Sequence, residues 1–63
     1  MLESYYELKI KYTDYILLFK KGNFYYCCKE DAFIIHYFMS YKCNNETVVF
    51  STEALDKVLN ILN

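Results

Sequence analysis

Residues 8–32 read LKIKYTDYILLFKKGNFYYCCKEDA, and this stretch contains the clearest indications of secondary structure. The apolar run at 15–20 lacks polar alternation, which predicts a short strand covered on both faces. Gly22, the only glycine of the chain, lies in the turn that follows, where a positive φ is useful. Residues 24–28 are all strand formers. The stretch therefore predicts a β-hairpin.

Helical and strand patterns surround this hairpin. Residues 3–12 repeat apolar side chains at helical spacing, with Tyr5, Leu8 and Tyr12 as the expected buried stripe. A second helix opens at Lys29 and is apolar almost all round, and a third helix, with Leu55, Val58, Leu59 and Leu62 on one face, closes the chain. Short strands at 41–43 and 47–50 lie between them.

The predicted order of elements is α-β-β-α-β-β-α. This order is typical of an α+β fold in which helices pack on a small mixed sheet of about four strands. No linker, repeat or shift in composition divides the chain, so residues 1–63 are predicted to form one module.

The composition excludes several classes of protein. Hydrophobic residues make up 56% of the chain and aromatic residues 21%, and there is no proline. Such a chain is not disordered, collagen-like or of low complexity. The formal charge of −1 gives little overall attraction to phosphate. Eight tyrosines and five phenylalanines exceed what one small core readily hides, so self-association is an open alternative.

The three cysteines argue for a reduced compartment. An odd number does not complete a disulfide framework, and no signal peptide or membrane span is visible, so we expect a cytoplasmic protein without membrane contact. A zinc site would use Cys27, Cys28, His36 and Cys43, but adjacent cysteines on a strand point to opposite faces. Buried, inert thiols are the favoured interpretation, and a redox switch at Cys27 and Cys28 is a weaker one.

Signals of catalysis are weak. The chain has no glycine-rich phosphate loop, no G-x-S-x-G motif and no H-E-x-x-H motif. His36 lies within a predicted helix, and Asp14, Glu30 and Asp31 are interpreted as turn and cap residues. The prediction is a non-enzymatic protein without a cofactor or catalytic residue.

The stretch quoted above closely resembles the N-terminal domain of the MutS family, the DNA mismatch-recognition proteins. That family has a lysine-bearing helix, a Tyr/His-Pro-Asp corner, an I-L-L-F-type strand, G-D-F-Y-E and a D-A pair that opens a helix. The residues in register are Lys9, Tyr12, Asp14, Ile16 to Phe19, Gly22, Phe24, Tyr25, Asp31 and Ala32. Thr13 replaces the usual proline, and Asn23 replaces the usual aspartate.

The resemblance implies a DNA site on the second strand. In the family the phenylalanine wedges against a mispaired base from the minor groove, and the glutamate hydrogen-bonds that base. Phe24 matches the phenylalanine, whereas Tyr26 occupies the position of the glutamate. The implied contacts with DNA are Phe24 and Tyr26, with Lys20, Lys21 and Gly22 beside them.

A second hypothesis uses the same fold for another purpose. The change of glutamate to Tyr26, the near-neutral charge and the excess of aromatic residues suit a protein-interaction adaptor, an inhibitor or a homodimer. Such a protein would keep the fold and lose mismatch recognition. In that case Phe24 belongs to the core, and the lysines beside it are solvated surface residues.

Overall fold

The computed structural model describes the backbone of residues 2–63 and the side chains of residues 4–63. The predicted order of elements is confirmed. The elements are α1 (Leu2–Lys11), β1 (Phe19–Lys21), β2 (Phe24–Cys28), α2 (Lys29–Met39), β3 (Cys43–Asn44), β4 (Thr47–Ser51), a 3-10 turn (Thr52–Ala54) and α3 (Leu55–Leu62).

The four strands form one sheet in the order β1-β2-β4-β3. The α+β class and the number of strands are as predicted, but the sheet is antiparallel at every described pair rather than mixed. The reason lies in the connections. Two-residue turns join β1 to β2 and β3 to β4, and only antiparallel neighbours accept so short a link.

Both turns use left-handed backbone. Gly22 has a φ of 61° at the first of two turn positions, which is the pattern of a type II′ turn. Asn45 and Glu46 have φ values of 50° and 60°, the pattern of a type I′ turn. Lys29 holds the second turn: its N–H donates to the Glu46 carbonyl at 2.8 Å, and its Nζ lies 2.9 Å from Glu46 Oε1.

Replacing Gly22 with alanine is expected to destabilise the fold by about 1 kcal/mol, the cost of left-handed backbone for a residue with a Cβ. An added Cβ meets no atom within 4 Å, so the cost is conformational and not steric. Asn23→Ala is the control, because the neighbouring turn residue does not have a positive φ and should lose less. Urea denaturation measures both, and equal stability of Gly22→Ala and the wild type would contradict the assignment.

The core lies between the helices and one face of the sheet. Its buried members are Cys27, Ala32, Ile35, Val48, Phe50 and Val58. The rings of Tyr25 and Tyr41 flank Phe50, with centroid distances of 5.7 and 5.9 Å. In α3, Val58 is buried whereas Leu59 is exposed, so the buried face of this helix is narrower than the apolar face predicted from the sequence.

The predicted strand at 15–20 is shorter and differently placed. Only its last two residues belong to β1, and β1 is an edge strand rather than one covered on both faces. Residues 16–18 are half-buried without joining the sheet. The Leu17 N–H donates to Asp31 Oδ2 at 3.1 Å, so this group is not available for pairing with a strand.

α1 contacts the rest of the fold through a different stripe from the predicted one. Tyr5 is buried, but Leu8 and Tyr12 are exposed. Lys9 takes the inner position one turn after Tyr5, and its Nζ lies 2.8 Å from Asp31 Oδ1. Lys9 is half-buried, and the buried carboxylate of Asp31 faces it.

Asp31 is therefore not the turn or cap residue that the sequence suggested. Its side chain is only 2% exposed and binds both Lys9 Nζ and the Leu17 N–H. Lys9 Nζ also donates to the Tyr15 carbonyl. One carboxylate thus ties α1, the segment before β1 and the first turn of α2 together.

None of the helices in the described part of the chain has the length and apolar character of a membrane span.

Candidate nucleic-acid interface

The face of the sheet that points away from the core is open at Phe24 and Val49, which are exposed, and is covered at Cys28, which is buried. Side chains alternate along each strand, and paired residues share a face, so the register defines its members. We call it the outer sheet face. Its residues are Phe19, Lys21, Phe24, Tyr26, Cys28, Asn44, Thr47, Val49 and Ser51.

Phe24 is the most prominent ring of the outer sheet face. It starts β2 directly after the tight turn, opposes Lys21 on one side and Ser51 on the other, and is 48% exposed. Tyr26 follows on the same face, between Phe19 and Val49, and is half-buried. The two aromatic residues expected to contact DNA therefore lie in one row, with Phe24 the more accessible.

The two lysines of the implied site lie on different faces. Lys21 pairs with Phe24 and shares the outer sheet face with it. Lys20 pairs with Tyr25, whose ring packs on Phe50, so Lys20 lies on the helix side at the edge of the sheet. Both are exposed. The structure thus brings Lys21 and Gly22 next to Phe24 and separates Lys20 from it.

Charge is segregated in this small protein. The strands, all of them described, read FKK, FYYCC, CN and TVVFS and carry no carboxylate. The eight acidic residues of the chain therefore lie in helices, loops and turns. Although the net charge of the chain is −1, the only charged residues in the strands are lysines. The electric field close to a bound anion matters more for its binding than the net charge of the whole chain.

A polar groove at the β3 edge of the outer sheet face was not predicted. It has a volume of about 360 Å³, and Lys42, Asn44, Asn45, Thr47 and Val49 line it. The sequence marks the asparagines only as turn residues. Lys42 lies beside Val49 only because of the register in which β3 pairs with β4. This register cannot be predicted from the local sequence.

The cysteines do not assemble into a site. Cys27 and Cys43 both pair with Val48 from opposite sides, which puts them about 10 Å apart, beyond the reach of a disulfide. No group of three His, Cys, Asp or Glu side chains within the described part of the chain is placed to hold a metal. His36 is exposed, and its Nδ1 lies against the Tyr41 carbonyl.

Burial raises the pKa of the Cys27 thiol from 9.0 to about 12, and burial together with the Asp31 carboxylate raises that of Tyr5 from 10.0 to about 12. The folded state thus holds both protons at a pH where the unfolded state releases them. The stabilisation is complete below pH 9 and is lost as the pH rises towards 12. A thiol held protonated in this way is also a poor nucleophile, which speaks against a redox switch at Cys27.

We therefore expect the contribution of these two groups to stability to be constant up to about pH 9 and to fall steadily above it, towards pH 12. Cys27→Ala should reduce this slope, whereas Cys43→Ala, at a half-buried position, serves as the matched control. Urea midpoints measured across the range test the expectation. A midpoint that stays constant up to pH 11 would contradict the burial of these two groups.

The family model for MutS domain I matches residues 1–60. The chain belongs to the MutS domain I family. This agrees with the resemblance seen in residues 8–32 and with the observed fold.

Individual relatives of this MutS domain I chain are DNA mismatch repair proteins MutS from Thermus thermophilus, Thermus caldophilus and Thermus aquaticus. Each is 53% identical over 32 residues, which is 51% of this chain. The match covers 4% of each relative, so the chain corresponds to a small part of those proteins.

Proposed function

We propose that this MutS domain I chain is a non-enzymatic DNA-binding module that contacts DNA through Phe24 and Tyr26. The observation that carries the proposal is the half-exposed ring of Phe24 on a sheet face without carboxylates. The mismatch repair proteins among its relatives supply the class of ligand.

Phe24 is placed to act as an apolar wedge. It lies at the end of the hairpin, where the turn beside it carries no side chain at Gly22. A wedge enters most easily where stacking is already weak, as at a mispaired step. Lys21, directly opposite Phe24, is available to pair with a phosphate of the same step.

Tyr26 changes what the site recognises. A carboxylate accepts hydrogen bonds from a base, whereas a tyrosine offers a hydroxyl and a ring. Stacking on a ring tolerates every base. We therefore propose that the chain prefers mispaired or unpaired bases because they unstack easily, with less discrimination among mismatches than a carboxylate would give.

The direct test is a fluorescence anisotropy titration at low salt with two labelled duplexes that differ at a single mispaired base. The proposal requires tighter binding to the mismatched duplex, because inserting the ring costs less free energy where the base step is already weakly stacked. Absence of binding to both duplexes at about 100 μM, a typical weak non-specific level, would overturn the proposal.

A second candidate function is protein interaction through the outer face of α2. Four neighbouring side chains there are exposed and apolar: Phe33, Ile34, Tyr37 and Phe38. Tyrosine and phenylalanine are enriched in interface cores, and a homodimer is the simplest arrangement. Size exclusion with light scattering, compared with Tyr37→Glu, tests it. A wild-type chain that stays monomeric at high concentration would contradict the homodimer.

A further inference from the structure

We propose that the outer sheet face binds a single DNA strand laid across the sheet, from Phe24 near the β1 edge to the polar groove at the β3 edge. We call this path across the outer sheet face the track. The inference rests on the proposed function, because Phe24 and Tyr26 form the first half of the track. It adds a second half, the groove lined by Lys42, Asn44 and Asn45, and it assigns an unpaired strand as the ligand.

The groove is continuous with the aromatic pair. Tyr26 pairs with Val49, and Val49 is itself a wall of the groove. Cys43 pairs with Val48, so Lys42, one residue earlier, comes beside Val49. At about 4.8 Å per strand, the backbones of Tyr26 and Lys42 are about 10 Å apart. A single strand that stacks on Tyr26 therefore reaches Lys42 without leaving the sheet.

The groove offers the chemistry that a nucleotide needs. Lys42 supplies a positive charge for a phosphate, and the Asn44 and Asn45 amides supply donors and acceptors for the edge of a base. Val49 is exposed and gives an apolar surface for a sugar or a base face. The volume of about 360 Å³ lies within the range of about 300–1,000 Å³ typical of small-ligand sites.

The charges around the groove favour an anion. Glu46 lies in the turn that borders it, but its carboxylate is paired with Lys29 Nζ at 2.9 Å. The backbone bond from Lys29 to the Glu46 carbonyl fixes the same turn. Lys21 and Lys42 then stand at opposite sides of a sheet whose strands carry no acid, which complements the backbone of a strand that crosses between them.

An unpaired strand suits this surface better than a duplex does. A duplex hides the faces of its bases in the stack and presents only their edges. A single strand can turn its bases onto Phe24 and Tyr26 and leave its phosphates to the lysines, the arrangement common to single-strand binding surfaces. The outer sheet face is open at Phe24 and Val49, where such contacts would be made.

The test compares Lys42→Glu with Lys57→Glu, an identical change on the exposed surface of α3. The probes are a labelled oligo-dT of about 12 nucleotides and a mismatched duplex of similar length. Lys42→Glu is expected to weaken oligo-dT binding about tenfold and to reduce the slope of log affinity against log salt by about 0.7, the loss of one phosphate contact. Lys57→Glu is expected to change either quantity little, and urea midpoints confirm that both variants fold.

The outcomes separate this inference from the proposed function. If Lys42→Glu leaves oligo-dT binding unchanged while Phe24→Ala weakens binding to both probes, the track is overturned and the proposed function stands. If the wild-type chain binds neither probe, both are overturned. Equal competition by a poly-glutamate peptide would also overturn the track, because the surface would then attract any anion and not stacked bases.

Discussion

Asp31→Ala is expected to leave most of the chain unfolded at room temperature. The change removes the acceptor of both Lys9 Nζ, at 2.8 Å, and the Leu17 N–H, at 3.1 Å. Lys9 is 23% exposed, so deleting the buried Asp31 carboxylate should cost about 3 kcal/mol, the lower end of the range for a buried ion pair. A core of this size rarely supplies more than about 3–5 kcal/mol of net stability, so the loss is comparable to the whole.

Circular dichroism and urea denaturation measure this effect. Glu30→Ala is the matched control, because it removes a neighbouring carboxylate that is exposed in the same first turn of α2. That variant should change stability by less than about 0.5 kcal/mol. An Asp31→Ala protein within 1 kcal/mol of the wild type, roughly the effect of an average substitution, would contradict the role given to Asp31.

Phe24→Ala is expected to weaken DNA binding strongly with little change in folding. Loss of one aromatic stacking contact costs about 1–3 kcal/mol, which is roughly a 5- to 150-fold increase in Kd. Phe24 is 48% exposed and lies outside the core cluster, so the fold should tolerate its truncation. Anisotropy titrations with the mismatched duplex measure the change in affinity.

Phe33→Ala is the matched control for this experiment. Phe33 is 47% exposed, so the two variants remove the same group from equally exposed positions, one on the sheet and one on α2. Only the sheet variant should lose DNA affinity. A similar loss in both variants, or a loss in Phe33→Ala alone, would contradict the assignment of DNA binding to the outer sheet face.

The elements that depend on local chemistry were predictable from the sequence. Gly22 marks the hairpin turn because its backbone conformation is hard for other residues to adopt. Strand β2 follows from five consecutive strand-forming residues, and the placement of Phe24 and Tyr26 on one face follows from the alternation of a strand. The family resemblance directed attention to the same pair.

The elements that depend on distant partners were not predictable. The N-terminal part of the expected first strand does not join the sheet, because the Leu17 N–H donates to Asp31, which lies 14 residues further along the chain. Lys20 and Lys21 are adjacent in the sequence, and the register of β1 with β2 decides which of them shares a face with Phe24. The groove at Lys42 likewise requires the register of β3 with β4. In each case a tertiary contact decides the position, and the local sequence does not contain it.

We propose above all that DNA contacts the outer sheet face through Phe24. The most direct test is an NMR titration of the ¹⁵N-labelled chain with the mismatched duplex. We expect the largest changes in amide chemical shift within the hairpin, from Lys21 to Tyr26, with small changes along α2. Changes concentrated at Phe33, Tyr37 and Phe38, or no changes at saturating DNA, would contradict the claim.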